Sequence, residues 1–170
     1  LVIDTSKYLN NIIDVDYDKE TARCEPGVVQ DQLNAVLAPR GYRLGADTST
    51  GNRATLGGML GNNSSGAHSM RYGKMVDNVE AVSIALAHGE LHNFSEIEWD
   101  EWQPATNTAR RIRETIDGIR SNLTEEIHRR FPKIQRRVSG YNLDEIVGND
   151  RVNLARLIAG SEGTLGLATD

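Results

Sequence analysis

The part of this sequence best suited to chemistry is a stretch of nearly bare backbone. Residues 55–73 read TLGGMLGNNSSGAHSMRYG, with five glycines among Asn, Ser and His and little that could fill a core. Glycine lets main chain approach another surface closely and adopt φ > 0. N–H groups freed in this way can converge on a phosphate or on the polar edge of a planar ring. Asn62, Asn63, Ser64 and Ser65 add short polar side chains. No Gly-Lys-Ser/Thr follows at Walker spacing and no strand runs into a G-x-G-x-x-G, so neither familiar nucleotide fingerprint is present. On composition alone, a structural system of turns accounts for the run as well as a ligand cradle does.

Three further features carry possible chemistry. GSEGTLG, residues 160–166, lies between two apolar runs and is expected to form a strand–turn–strand corner, either plain or with its backbone against a ligand. Read as an RNA clamp of the G-x-x-G kind, it would have an acidic Glu162 inside the clamp of an acidic chain, which argues against that use. Tyr141, in SGYNL, is expected to anchor the core rather than to stack on a ligand. His68 is the only histidine inside the glycine-rich run. With no carboxylate, nucleophilic serine or second histidine at a telling sequence distance, it is given no catalytic role. No metal-ligand spacing occurs.

The elements that must position these residues can be read from periodicity. Ile12, Val15 and Tyr17 form a strand-like run, and residues 21–24 return as its hairpin partner. Val29, Leu33, Val36 and Leu37 recur at helical spacing until Pro39 and Gly41 stop them. Residues 44–72 show neither period and are expected to be a long loop with one helical turn near 57–61. AVSIALAHGELHNF reads as a hairpin turning at His88-Gly89. Ile112, Ile116, Ile119, Leu123 and Ile127 mark one face of a helix over about 107–130, whose charged face, including Arg110, Arg111 and Arg113, is expected to be solvated. A short helical patch is expected around Leu143, Ile146 and Val147.

Composition narrows the classes. The chain has 170 residues, 24 acidic against 19 basic side chains, and a net charge of −5. That balance argues against a surface built for nucleic acid. The single Cys24 excludes an internal disulfide and any cysteine-rich cluster within these residues. A soluble, cytoplasmic protein is expected, and a start without Met, directly in LVIDTSKYLN, is read as the interior of a longer chain.

Taken in order, DTSKYLN, TLGGMLGNNSSGAHSMRYG followed by VDNVEAVSIALAHGE, SGYNLDEI and LIAGSEGTLGLATD resemble the FAD-binding domain of the vanillyl-alcohol-oxidase and D-lactate dehydrogenase superfamily. The resemblance covers nearly the whole chain. It implies an α+β, two-lobed FAD-binding domain of the PCMH type, with mixed sheets and flanking helices. Residues 1–72 would be the remainder of the first lobe with the glycine-rich cofactor loop, and 73–170 the second lobe, with a helical insertion at about 100–135.

By motif match the resemblance assigns FAD contacts to Thr55, Gly57, Gly58, Asn63, Ser64, Gly66 and Tyr72, and to Gly160, Glu162, Gly163 and Leu167. Asp47, Thr48 and Ser49 match the segment that approaches the isoalloxazine ring. The insertion and FPKIQRRVSGYNLD resemble large bacterial FAD-linked D-2-hydroxyglutarate dehydrogenases, whose chains carry iron–sulfur modules. The implied reaction takes a hydride from the α-carbon of a D-2-hydroxy acid to FAD. The electron acceptor is not implied, and peripheral membrane association of the parent is left open. Substrate groups of the family lie in a later cap domain, so no catalytic residue is assigned. The family's first pyrophosphate loop, expected just before a strand beginning Leu1-Val2-Ile3-Asp4, is absent, which is expected to weaken FAD binding. The alternative reading is a non-catalytic nucleotide- or partner-binding module that keeps the fold.

Overall fold

The computed structural model describes residues 2–170. Leu1, the first residue of the expected opening strand, lies outside the described residues. Residues 2–5 carry no strand, and Val2 and Ile3 are exposed with no ladder beside them. The first sheet is the hairpin of β1 (Ile12–Asp16) and β2 (Thr21–Cys24), paired antiparallel with an irregularity between Ile12 and Asp14. The chain then enters α1 (Gln30–Leu37), where the Gln32 side chain accepts from the Val29 N–H at 3.0 Å and so satisfies a donor the helix start leaves free. Pro39 lies in the 3-10 turn that follows, and Gly41 ends it at φ 80°. Leu33 and Leu37 pack on Val28 with Ile12, Val15 and Tyr17, a small apolar cluster of its own.

The expected long loop contains more helix than its composition suggests. Three short helices occur: α2 (Leu56–Gly61), α3 (Ser69–Tyr72) and α4 (Met75–Asn78). Glycine and asparagine have poor helix propensity. These turns are instead held by tertiary hydrogen bonds. Val29 bridges to Thr55, the Leu56 N–H donates to the Val28 carbonyl at 2.8 Å, and the Gly57 N–H donates to the Pro26 carbonyl at 2.8 Å.

The expected hairpin is present as β3 (Val82–Ala85) and β4 (Leu91–Phe94). β7 (Leu167–Ala168) adds antiparallel to β3, giving the order β4-β3-β7. A third small sheet pairs β5 (Glu96–Glu98) with β6 (Arg151–Asn153). The long helix α5 (Asn107–Arg130) begins where the Thr106 hydroxyl caps the Ala109 N–H at 3.1 Å. Its last turn carries His128, Arg129 and Arg130, favourable at the carbonyl end.

α5 packs Ile116 and Ile127 into the main core with Met59, Val76, Ile84, Trp99, Ile146, Val152 and Ile158, and also buries Ala109. Each fully buried isoleucine contributes roughly 1.5–3 kcal/mol. Leu123, counted with that face in the sequence, stays exposed. The charged face is not wholly solvated either. Arg120 donates to the carbonyls of Ile146 and Asn149, both at 2.8 Å, Arg113 donates to the Trp102 carbonyl, and both guanidinium groups lie over the Trp99 ring. Trp99 donates in turn to Asp117 at 2.7 Å.

The strand–turn–strand expectation for residues 154–168 is corrected. LARLI forms helix α6 (Leu154–Ile158), because the Asn153 side chain caps the Ala155 N–H at 2.9 Å. Only the far side of the turn, β7, is strand.

Candidate functional site

Two glycine-rich segments far apart in sequence meet end to end. At the end of α2 the Asn62, Asn63 and Ser64 N–H groups donate to the Gly58, Leu60 and Met59 carbonyls, but the Gly61 carbonyl has no local donor. The Gly160 N–H donates to the Leu60 carbonyl and the Glu162 N–H to the Gly61 carbonyl, each at 2.9 Å. The GSEG turn therefore caps α2 through backbone alone. Gly160 sits at φ 84°, and a Cβ there would lie 2.9 Å from the Gly140 carbonyl oxygen and 3.3 Å from Asn63 Cβ, so glycine is required on both counts.

Beneath this junction lies a buried amide chain. Asn63 adopts φ 48°, a left-handed conformation that asparagine tolerates better than most residues. Its Oδ1 accepts from the Val76 N–H at 3.0 Å, and its Nδ2 faces Asn142 Oδ1 at 3.5 Å. Asn142, also buried, donates to the carbonyls of Ala159 at 2.6 Å and Arg156 at 3.1 Å. The Ser64 carbonyl accepts from the Met75 N–H at 2.9 Å, joining the bend to α4.

A second arm comes from residues 46–50. Gln30, nearly fully buried on α1, donates to the Ala46 carbonyl at 2.9 Å and accepts from the Thr48 hydroxyl at 2.7 Å. Gly66 presses on the same segment so closely that a Cβ would fall 1.2 Å from the Asp47 carbonyl oxygen. The Gly66 N–H is satisfied by Ser69 Oγ at 2.7 Å. Asp47 is held by Arg43 at 2.5 Å and by His68 Nδ1. His68 thus does have a carboxylate partner, which corrects its expected isolation; a separation of 21 residues left no sequence signal.

Thr55 stands at the start of α2, Gly57 and Gly58 lie within it, Asn63, Ser64 and Gly66 follow it, and Gly160 and Glu162 are bonded to its end. Gly58 is exposed, and a Cβ there would meet only Thr55 Oγ1, at 3.1 Å. Gly163, at φ 75°, has open space around it. Asp47 and Thr48 join through Gly66 and Gln30, whereas Ser49 is exposed. Tyr72, at the end of α3, is exposed with its carbonyl accepting from Asn78 at 3.0 Å. Leu167 forms no hydrogen bond to the junction among the described residues and pairs with Ala85 in the sheet.

Tyr141 does not enter the core. The residue is 42% exposed and its hydroxyl meets Thr164 Oγ1 at 2.8 Å, spanning the turn.

Sequence reasoning missed Gln30, Asn142 and Arg136. Gln30 was detectable as the polar member of the buried stripe Gln30, Leu33, Leu37. Asn142 had no periodicity to mark it. Arg136 reaches Ser65 Oγ at 3.2 Å, bringing a cation to the bend from the segment after α5.

A cleft of about 480 Å³ opens between the β1–β2 hairpin, α1 and β3, lined by Tyr17, Cys24, Leu33, Leu44 and Val82. Of the residues assigned FAD contacts from the sequence, only Gly57 lines it. The glycine junction is thus an open backbone surface at the cleft's border. Burial pushes the Cys24 thiol up to about 11, so it remains protonated at neutral pH.

The family model described as "FAD binding domain" matches residues 1–95. The chain belongs to the FAD-binding domain family. D-2-hydroxyglutarate dehydrogenase of Escherichia coli (strain K12) is 35% identical to this domain over 175 residues, covering 100% of the chain and 17% of the relative. The mitochondrial D-lactate dehydrogenase [cytochrome] of Kluyveromyces lactis is 29% identical over 170 residues, covering 100% and 21%. Glycolate oxidase subunit GlcD of Bacillus subtilis is 26% identical over 164 residues, covering 96% and 25%. The chain therefore spans about a sixth to a quarter of the length of these relatives.

Among solved structures, an alkyldihydroxyacetonephosphate synthase covers 95% of the chain at 22% identity with a TM-score of 0.54, a likeness of fold. The mixed α+β fold expected of the FAD-binding domain is the one observed. The junction also suits the cofactor. It offers exposed glycine backbone at Gly58 and Gly163 and a guanidinium beside Ser65, as a flat, doubly phosphorylated molecule requires.

Proposed function

We propose that this chain is the cofactor-holding part of a flavin-dependent oxidoreductase that oxidises a D-2-hydroxy acid, of the 2-hydroxyglutarate or lactate kind, to its 2-oxo acid. The observation that carries the proposal is the pair of backbone bonds joining Leu60 and Gly61 to Gly160 and Glu162, which makes one bare surface from both glycine segments. The relatives' names supply the substrate class.

When bound, FAD would supply two-electron redox chemistry, and the protein's task is to hold and orient it. Thr55, Gly57, Gly58, Asn63, Ser64 and Gly66 would hold the phosphates and ribityl chain through backbone and short polar groups. Gly160, Glu162, Gly163 and Leu167 would border the opposite side. Asp47, Thr48, Ser49 and Tyr72 would line the ring end. Gln30 fixes the 46–48 segment from behind, and Asn142 fixes the GSEG turn.

The test is titration with FAD of this chain, and in parallel of the chain within its complete reading frame. Bound flavin is expected to show quenched fluorescence and a perturbed visible band. Gly58→Val should weaken FAD binding by about tenfold or more, roughly 1.4 kcal/mol, with an unchanged urea midpoint, because the new side chain occupies an exposed surface. Absence of FAD affinity in both forms defeats the flavin reading; unchanged affinity in Gly58→Val removes that residue from the site.

A further inference from the structure

A second cavity, of about 470 Å³, opens between α3, α4, the last turn of α5 and the segment 131–137. None of the residues assigned to FAD lines it. Two cations are set back in its wall: the Lys74 side chain is 15% exposed and that of Arg137 14%. His128 and Lys133 stand at its exposed edge. Residues 128–137 carry Arg129, Arg130, Lys133, Arg136 and Arg137 and no Asp or Glu, in a chain whose net charge is −5. The local charge is thus opposite to that of the whole.

The carboxylates in the same wall are already engaged. Lys74 Nζ meets Asp77 at 2.9 Å, Arg137 Nη2 meets both oxygens of Asp144 at 2.6 Å, and Arg156 reaches Glu145 at 3.0 Å. The donors are not exhausted. An ammonium has three N–H groups and a guanidinium five, whereas Lys74 Nζ bonds only Asp77 and Arg137 uses only Nη2 among the described residues. The Arg137 guanidinium is held in place over the Phe131 ring, 4.8 Å from its centroid, which leaves the Nε and Nη1 groups for another acceptor.

The lip is apolar. Met70 on α3 is 70% exposed and Ile134, across the opening, 65%. The backbone of residues 132–138 forms no hydrogen bond among the described residues, so this side of the cavity is secured mainly by Arg137. Set-back cations with unspent donors behind an aliphatic lip complement an anion on an apolar body. The volume falls in the range of small-ligand pockets, roughly 300–1,000 Å³.

We propose that this cavity binds a small aliphatic carboxylic acid, its carboxylate between Lys74 and Arg137 and its chain against Met70, Phe131 and Ile134. A guanidinium edge takes the two oxygens of a carboxylate side by side, and the ammonium supplies the second charge that makes burial of the anion tolerable. The bound acid joins the 131–137 segment to α3 and α4. It does so outside the glycine junction, so the site needs no cofactor and takes no part in the oxidation.

Hexanoate serves as the probe, hexan-1-ol as its uncharged counterpart and phosphate as the bare anion. In nitrogen-15 NMR of the 170-residue chain, hexanoate should shift the amides of Ser69, Lys74, Phe131 and Ile134 saturably, with a Kd of about 1 mM or tighter. The amides of Gly58 and Gly163 should stay in place. Hexanol and phosphate should each bind about tenfold more weakly or worse, a difference of roughly 1.4 kcal/mol. Lys133→Glu and Ile134→Asp, both at exposed positions, should weaken hexanoate by about fivefold with an unchanged urea midpoint. Arg130→Glu makes the same charge reversal on α5 outside the cavity and should leave the affinity as it was.

No saturable shift, equal affinity for hexanol or phosphate, or the same weakening in Arg130→Glu overturns the proposal. Equilibrium dialysis of labelled hexanoate against the complete reading frame should reproduce the affinity. Binding by the 170-residue chain alone would mean that the rest of the parent covers the cavity, and overturns the proposal as well.

Discussion

Gly66 shows how much can hang on one missing methyl group. A Cβ at this position would sit 1.2 Å from the Asp47 carbonyl oxygen, inside a covalent bond length, so the two segments must separate to admit it. Gly66→Ala is therefore expected to destabilise the protein by about 3 kcal/mol or more, read as a lowered urea midpoint. It should also release the His68 ring from Asp47. The sequence marks Gly66 as special without showing the Asp47 contact, since a glycine kept for contact with a ligand and one kept for contact with another part of the chain look alike in a string of letters. Cys24 makes the complementary point. Burial pushes its thiol up to about 11, so it should react with a disulfide reagent far more slowly than free cysteine at pH 8, and unfolding in urea should restore the normal rate. No feature of the flanking residues announces that shift, because burial belongs to the fold.

Among the elements, those with a strong period were the readable ones. The hairpins and α5 follow from alternating and three-to-four spacing, and Pro132 stands just past the end of α5. The helices of residues 56–78 follow no period, since two are single turns and the third is half glycine. Their order comes from bonds to Val28, Pro26, Ser64 and Gly160, which no local pattern encodes. α4 illustrates the consequence for acid stability. Burial alone would raise the Asp77 carboxyl, but hydrogen bonds from the Lys74 backbone and side chain, with the Lys74 charge, outweigh it and hold Asp77 below its ordinary value. A depressed native value means stability that is complete above the unfolded value, near pH 4, and lost as the pH falls through the native one. The urea midpoint should thus decline below about pH 4, and Asp77→Asn should flatten that decline while lowering the midpoint at neutral pH.

For the molecule as a whole, the decisive ties are amides rather than apolar contacts. The main core and the smaller cluster around Val28, Leu33 and Leu37 were largely foreseeable from apolar spacing. The junction of the two glycine segments was foreseeable only through resemblance. Asn142 holds it by donating to Ala159 and Arg156, and Asn142→Leu would leave the buried Ala159 carbonyl and the half-buried Arg156 carbonyl without that donor. A loss of about 1–3 kcal/mol is expected, with faster hydrogen exchange at the Gly160 and Glu162 amides than at those of α5. That specific pattern separates a loosened junction from general destabilisation. The same junction also fixes an order of events during synthesis. Asn63 and Asn142 are 79 residues apart, and Glu162, which completes the cap on α2, comes later still. At about 5–20 residues per second, the glycine-rich segment leaves the ribosome several seconds before its partner exists. The Gly61 carbonyl, bonded only by Glu162, stays in water for that interval, and the surface shared by both segments is a late product of folding, assembled only after α5 and the third sheet have been made.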